Sequence, residues 1–579
     1  MQTETKFAAT TLKPGLHPHR SPTFPVNQQG RLCRDRTDNL IRKHKLWRTL
    51  EFIPGSIAWL AIIMPLILSI FAPQFVASFI IVYTIVWLFR SLKLSYYLYK
   101  SYKLAKEALQ TDWQKLINLT DHPEKINYEL KKIKKEEKPK KYFQLFHLKK
   151  QIAKLKSLKQ QKRSKNILHA VIYVTYKESY QLIRESIKSY ANSAYPSSKI
   201  MVVLAGEESD KENFLKIAKK IEKEFGKKFA HFMTTVHPKG LPGEIKGKSA
   251  NATWAAKQFK KYIDSKKIKY ENVIISNFDA DTVAHPQYFS ELTYKYLTEE
   301  NRTEKAYQPT HLFHNNIWDV PAVIRIVAQS CSFWRMAESV QTSKYKSFSS
   351  RSLSMKTVID VNYWDPAVIP EDSRQYWTAY AVYDGRHTLV PIYTPVYMDA
   401  VLSETYVKTF KSQYSQLRRW AYGVCDFPFV ALNLWYHPRI KLSEKIYKIY
   451  EFLKNSFFWA TGPILITFMG FIPGVINPGF RDTVLAYNVP RVMSDMLTLA
   501  AAGIIMCAVI SISMVPKNPQ KGILGQLSLI GQWILIPVVS IFLSAIPALD
   551  AQTRLMFGRY LEYKVTEKTR PSLSTNREG

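Results

Sequence analysis

The chain has 579 residues and a mass of 67.2 kDa, enough for two or three compact units. Apolar residues make up 46% and aromatics 13%, which excludes a mostly disordered polymer; four distant cysteines (Cys33, Cys331, Cys425, Cys507) with no CxxC pair exclude a disulfide-stapled scaffold and a Cys-rich zinc module. The net charge of +36 is uneven, because 1–50 holds ten Lys/Arg against three acids and 131–165 holds fifteen against two. Neither basic run is interleaved with stacking aromatics or carries a groove-reading motif, so the expected partner is anionic membrane lipid and not nucleic acid.

Residues 1–50 read as a basic tail, with the proline-scattered 1–30 disordered. Residues 51–98 read as a transmembrane hairpin: 52–73 carries no charge, and 74–89 stays apolar until Arg90 and Lys93, which snorkel at its inner end. The turn falls at Ala72-Pro73-Gln74. The first apolar run begins too late and runs too long for a cleavable signal peptide. Residues 99–165, rich in Lys, Leu and Glu, are expected to form basic helices along the membrane.

From 166 to 400 the pattern alternates. Four apolar runs read as strands: Leu168–Val174, Ile200–Leu204, Phe229–Val236 and Val273–Phe278, each continuous enough to be buried on both faces. Between and after them, Asp210–Phe225, Lys248–Tyr262 and Pro286–Glu299 read as helices; in the first, Phe214, Ile217, Ala218, Ile221 and Phe225 share one stripe and Asp210 is the expected N-cap. Strand and helix in this order predict a mostly parallel α/β sheet, whose ligands collect at the carboxyl ends of the strands. There the fourth strand runs into Asp279-Ala280-Asp281, two carboxylates spaced to reach one hard divalent cation shared with phosphate. Upstream, Gly240–Ser249 (GLPGEIKGKS) resembles a phosphate loop, but Pro242 stands where Walker A spacing needs glycine, so a P-loop is rejected and Lys248 is kept as a diphosphate contact. His311 and His314 lack a third ligand and are read as structural.

Pro370-Glu371-Asp372 opens a further helix. Residues 401–455 are expected to be interface helices; they carry Gln416-Leu417-Arg418-Arg419-Trp420 and the apolar 424–435, too short to span. Residues 456–549 read as three membrane helices (456–476, 496–515 and 522–549), making five spans, and 550–579 as a tail. Basic flanks put the N-terminal side and the middle domain in the cytoplasm. Five spans send the C-terminus outside, whereas Arg554 and Arg559 argue for inside; the sequence leaves both open.

Taken singly, acids at a helix start and Arg-Arg-Trp at a membrane edge have ordinary structural explanations. The succession of Asp279-x-Asp281, Glu371-Asp372 and Gln416-x-x-Arg419-Trp420 just before membrane helices, supported by Lys248-Ser249-Ala250-Asn251, is specific. It resembles the membrane-embedded family 2 glycosyltransferases, similar in layout to bacterial cellulose and hyaluronan synthases, from Leu168 to the last span. The resemblance implies an α/β domain of GT-A (Rossmann-like) type inserted between transmembrane helices of the inner, cytoplasmic membrane, and an inverting reaction that uses Mg2+ or Mn2+. It also implies a nucleotide sugar, UDP-linked by expectation, as donor. Carried over, Asp279 contacts nucleotide and metal, Asp281 binds the metal, Lys248 holds the diphosphate and Asp372 is the general base. Gln416, Arg419 and Trp420 line the acceptor and diphosphate end. Two positions depart from the family pattern. Thr175-Tyr176-Lys177-Glu178 replaces the usual Ala-Tyr-Asn-Glu, leaving Thr175 and Glu178 as nucleotide-sugar contacts. Ala205-Gly206-Glu207-Glu208 stands where aspartates contact the nucleoside, making Glu207 or Glu208 the substitute. Nothing after Gly522 resembles a cyclic-dinucleotide-binding barrel.

Three functions compete: a processive synthase threading a polysaccharide between its membrane helices, a transferase adding one sugar to a lipid or short acceptor, and a non-enzymatic transporter. Spans without intramembrane acids or bases argue against an ion-coupled carrier.

Overall fold

The computed structural model describes residues 37–135, 142–157, 164–344, 346–518, 522–563 and 570. The N-terminal stretch expected to be disordered lies outside the described residues, as do parts of the basic run 131–165 and most of the C-terminal tail. Two long helices come first, α1 (Thr37–Phe71) and α2 (Pro73–Gln110), meeting at Ala72 with Pro73 opening α2. Proline suits a helix start because its missing N–H is an orphan there anyway.

Eight strands then build one sheet: β1 (Leu168–Val174), β2 (Ile200–Glu207), β3 (His231–His237), β4 (Val273–Phe278), β5 (Val283–Ala284), β6 (Ala306–Leu312), β7 (Arg351–Ser354) and β8 (Leu389–Tyr397). Their spatial order is β3-β2-β1-β4-β7-β6-β8-β5. The first four are parallel, β7 runs antiparallel to both β4 and β6, β6 and β8 are parallel, and β5 is antiparallel to β8. Both faces are covered. Val171 and Tyr173 pack with Val202 and Leu204 against Phe214, Ala218, Ile221 and Phe225 of α3 (Lys211–Phe225). On the other face, Ile172, Val203 and Ile275 meet Ala252, Ala255, Ala256 and Phe259 of α4 (Lys248–Ser265). This period-two division of continuous apolar runs is the physical reason the strands lack a polar face. Asp210 flanks α3 as expected but makes no side-chain capping bond.

Six further helices matter for the site and the apolar bundle: α5 (Ala322–Ser339), α6 (Glu371–Val382), α7 (Tyr406–Ala421), α8 (Leu442–Phe468), α9 (Val484–Met514) and α10 (Ile546–Met556). Four stretches among the described residues are long and apolar enough to cross a membrane: Lys45–Phe71, Pro73–Gln110, Val484–Met514 and Gly522–Met556. Leu60, Ile67, Ile70 and Phe71 of α1 are exposed, as are Val82 and Phe89 of α2, outward apolar faces of the kind that suit lipid.

Two expectations change, and a third gains contacts. The third expected span, 456–476, is divided: α8 ends at Phe468 and a short helix, Ile472–Ile476, follows. Beyond it Asn477 Nδ2 donates to the Ile70 carbonyl at 3.1 Å, so this pair of helices still reaches the end of the bundle where α1 turns into α2. The last stretch, 522–556, is long and apolar enough to cross, as expected, and packs against the bundle as well as against helices of the α/β domain. Gln532 Nε2 donates to Gln329 of α5 (3.2 Å), and Arg418 of α7 pairs with Asp550 (2.9 Å). Finally, the apolar run 424–435 is helical over Phe427–Tyr436 and buried against α1 and α8, where interior packing and not lipid satisfies its apolar face.

Candidate active site

The order β3-β2-β1-β4 reverses direction between β1 and β4, and the carboxyl ends of adjacent strands there open a crevice. Asp279 and Asp281 follow β4. Lys248, in the first turn of α4, places Nζ 2.5 Å from Asp279 Oδ1. Burial by itself would lower the Lys248 ammonium, but Asp279, Asp372 and Glu371 reverse that and raise its pKa. A cation is therefore fixed at this point. Asp281 is buried; its Oδ2 accepts from the Asp399 N–H (2.8 Å), and its carbonyl accepts from Asn315 Nδ2 (3.0 Å) and Arg570 (3.2 Å).

Glu371 and Asp372 occupy the first turn of α6. Underneath, the buried Arg351 of β7 donates to the Asp372 carbonyl at 2.6 Å and to Gln375. Asp372 Oδ1 makes no hydrogen bond among the described residues and lies 4.0 Å from Arg351 Nε. The Glu371 carboxyl is pushed up to about 8 by burial, with Asp372 and Asp279 adding repulsion and Lys248 opposing it. Burial and the neighbouring carboxylates thus favour the protonated form of Glu371.

Gln416, Arg419 and Trp420 come from the last two turns of α7. Gln416 is buried and accepts from Gln413 Nε2 (3.2 Å); Arg419 lies over the Tyr563 ring at 4.9 Å; Trp420 packs against Phe313 and Phe348. At the β1 end, Thr175 Oγ1 donates to Glu178 Oε2 at 2.6 Å and Lys177 takes a left-handed φ of 64°, so Glu178 braces its own turn. Glu207, at the end of β2, lies 3.1 Å from His237 Nδ1, and Glu244 lies 2.8 Å from Nε2. Burial would lower the His237 pKa, but those two carboxylates raise it.

Thr175, Glu178, Glu207, Lys248, Asp279, Asp281, Asp372, Gln416, Arg419 and Trp420 all line one cavity of about 2240 Å³, which continues between α2, α8 and α9. His311, outside it, donates Nε2 to the Ser349 carbonyl (2.7 Å), and burial pushes it down to about 4. Sequence reasoning missed four residues here: Asp399, His237, Tyr563 and Arg570. Asp399 ends the apolar run after β8, the same signal that exposed Asp279. Arg570 Nε donates to Asp399 Oδ1 at 2.7 Å from a tail with no pattern of its own.

For a divalent cation, Asp279 and Asp281 offer hard oxygen donors. No group of three His, Cys, Asp or Glu among the described residues could hold one unaided. That donor set fits Mg2+ or Mn2+ shared with a diphosphate, since such ions bind through one or two carboxylates plus substrate oxygens.

No protein-family model matches the chain, and no curated protein matches it. Among solved structures, the mannosyltransferase PcManGT from Pyrobaculum calidifontis, in complex with GDP-Man and Mn2+, is 13% identical, with 77% of this chain and 100% of that chain covered at a TM-score of 0.38. TarS of S. aureus, residues 1–349, is 12% identical, with 58% of this chain and 91% of that chain covered at 0.30. The same TarS fragment in complex with UDP gives 12%, 60%, 91% and 0.31. The fold class rests on the sheet itself: a mixed α/β domain with a parallel half, set in the chain between long apolar helices.

Proposed function

We propose that the chain is a membrane glycosyltransferase that moves a sugar from a nucleotide sugar, probe substrate a UDP-sugar, onto a growing polysaccharide at the cytoplasmic face, with inversion at the anomeric carbon. One observation carries the reading: a Lys–Asp pair, a second aspartate, an acidic helix start and a Gln-x-x-Arg-Trp turn, 31 to 172 residues apart from Lys248, line the same cavity.

The chemistry requires those groups. A departing diphosphate gathers negative charge as the glycosidic bond breaks, and fixed cations stabilise it where it forms. Lys248 and Arg419 suit that task. A cation held by Asp279 and Asp281 would act there as a Lewis acid on the phosphate oxygens. The acceptor hydroxyl needs a carboxylate to take its proton, and Asp372 Oδ1 is a buried acceptor without a hydrogen bond among the described residues. Trp420 offers an apolar face for the C–H side of a sugar ring. At the other end, Thr175, Glu207 and His237 ring the space beside β1 and β2 for the nucleoside.

Processivity is supported by the cavity's continuation past Trp420 between the bundle helices. The deciding experiment incubates detergent-purified protein with radiolabelled UDP-sugars and Mg2+ or Mn2+, then sizes the product. A ladder or long polymer is expected. A product one sugar longer than its acceptor replaces processivity with single addition; metal-independent inertness toward every nucleotide sugar ends the transferase reading.

A further inference from the structure

Beyond Trp420 the cavity meets a collar of charge. Arg90 and Lys93 of α2, Arg335 of α5, Lys344 and Lys346 after it, and Lys454 of α8 line it, against only two acids, Glu338 and Glu451. Pairing accounts for some of these cations. Arg335 bonds Glu338 at 2.9 Å, Lys344 lies 3.6 Å from Glu451, and Lys454 also pairs with Glu451. The excess remains positive, and apart from Lys93 these cations are half-buried, where unpaired like charge is costly. Burial pushes the Lys346 ammonium down to about 8, with Arg335 and Lys448 opposing its charge and Glu338 and Glu451 supporting it.

Each of four cations also sits over an aromatic ring: Arg335 over Phe348 (4.1 Å), Arg90 over Phe458 (4.2 Å), Lys346 over Phe452 (5.1 Å) and Lys93 over Tyr97 (5.6 Å). The series starts beside the transfer position, because Phe348 is 5.6 Å from Trp420. Rings suit the apolar faces of sugars, and guanidinium forks suit carboxylates and phosphates. A neutral glycan needs the rings alone. A lipid phosphate needs the cations without the ring-by-ring alternation.

Resting on the transferase reading above, we infer that the acceptor glycan is acidic: the sugars behind its growing end carry carboxylate, phosphate or sulfate groups, held by the collar of Arg90, Arg335 and Lys346 with its aromatic partners.

The test measures binding of two labelled oligosaccharides, a galacturonate hexamer and cellohexaose, to the full-length protein in detergent without nucleotide sugar. The uronate is expected to bind about tenfold tighter, and to weaken as salt rises. Arg335→Gln and Lys346→Met should each cost the uronate about three- to tenfold and leave cellohexaose unchanged, with Arg335→Lys recovering part of the loss. Equal affinity for the two oligosaccharides overturns the inference. So does a uronate preference abolished by adding phosphatidylglycerol but not phosphatidylcholine, which assigns the collar to lipid headgroups. Metal-dependent binding of UDP-sugars is measured in parallel: its absence with uronate preference intact sinks the transferase reading alone, and its presence with indifference to the uronate sinks the acidic glycan alone.

Discussion

Glu371 and Asp372 are adjacent in sequence and differ in surroundings, which divides their chemistry. Glu371 is buried beside two other carboxylates and is held protonated well above the usual carboxylate range; Asp372 lines the cavity and has a buried carboxylate oxygen with no hydrogen bond among the described residues. Replacing Asp372 with Asn should lower sugar transfer by about a hundred- to ten-thousand-fold, the usual worth of one positioned base, while the Kd for the nucleotide sugar stays within about threefold. Asp281→Ala should instead abolish metal-dependent nucleotide-sugar binding, read by titration with and without Mn2+. For Glu371 the sign follows from linkage. Its folded pKa, about 8, exceeds the ordinary 4.5, so the stability tied to its protonated form is full below the ordinary value and is lost as pH rises toward 8. Melting temperature in detergent should therefore fall between pH 5 and pH 8 in the native protein, and less steeply in Glu371→Gln. The residues that converge here were legible because each sits in a short motif at the end of an element. His237, Asp399 and Arg570 were not, since their roles come from partners 30, 118 and 171 residues away in sequence.

Helices and strands were legible where burial repeats with the element's own period. The fourth strand falls at Val273–Phe278 as its apolar run predicts, and α3 buries the stripe at Phe214, Ala218, Ile221 and Phe225. β7, like β5, β6 and β8, was not among the expected strands: Arg351-Ser-Leu-Ser is too short and polar to stand out, and in its place between β4 and β6 it carries a buried arginine whose donors end on α6. Apolar runs are ambiguous in another way, because 424–435 has the same composition whether lipid or protein covers it. Between β2 and α3 the fit is close enough to test. A Cβ on Gly206 would lie 2.4 Å from the Phe214 ring, and Gly206 directly precedes Glu207. Gly206→Ala should cost about 1–3 kcal/mol in unfolding stability and weaken nucleotide-sugar binding together, as the displaced strand end moves Glu207 away from His237. In a Phe214→Leu background the added cost should shrink, a coupling read from a double-mutant cycle of denaturation midpoints; simple additivity would refute the contact.

At the scale of the whole molecule, contacts between the two ends of the chain bear on the topology that charge counting left in conflict. Arg48 of α1 donates to the Leu555 carbonyl at 2.7 Å, Tyr560 OH donates to Glu51 at 2.9 Å, and Tyr563 and Arg570 line the same cavity as Lys248 and Asp279. The start of α1, the α/β domain and the residues after α10 therefore share one side. At the opposite end, Asn477 meets Ile70 beside the α1–α2 turn. We propose four passages, by α1, α2, α8 with its continuation, and α9; the segment 522–556, itself long and apolar enough to cross, packs in part against α5 and α7. In that arrangement Arg554 and Arg559 stay on the side of the α/β domain, whereas a fifth crossing would separate them from it. It also fixes a labelling pattern. In a background whose native cysteines are replaced by serine, Gly479→Cys, in the turn that follows Asn477, should react with a membrane-impermeant maleimide from one side of sealed vesicles. Lys239→Cys in the α/β domain and Glu562→Cys after α10, both exposed, should react from the other side, and with each other's accessibility. A Glu562→Cys that labels together with Gly479→Cys would restore the odd number of crossings and separate the C-terminal residues from the cavity they line here.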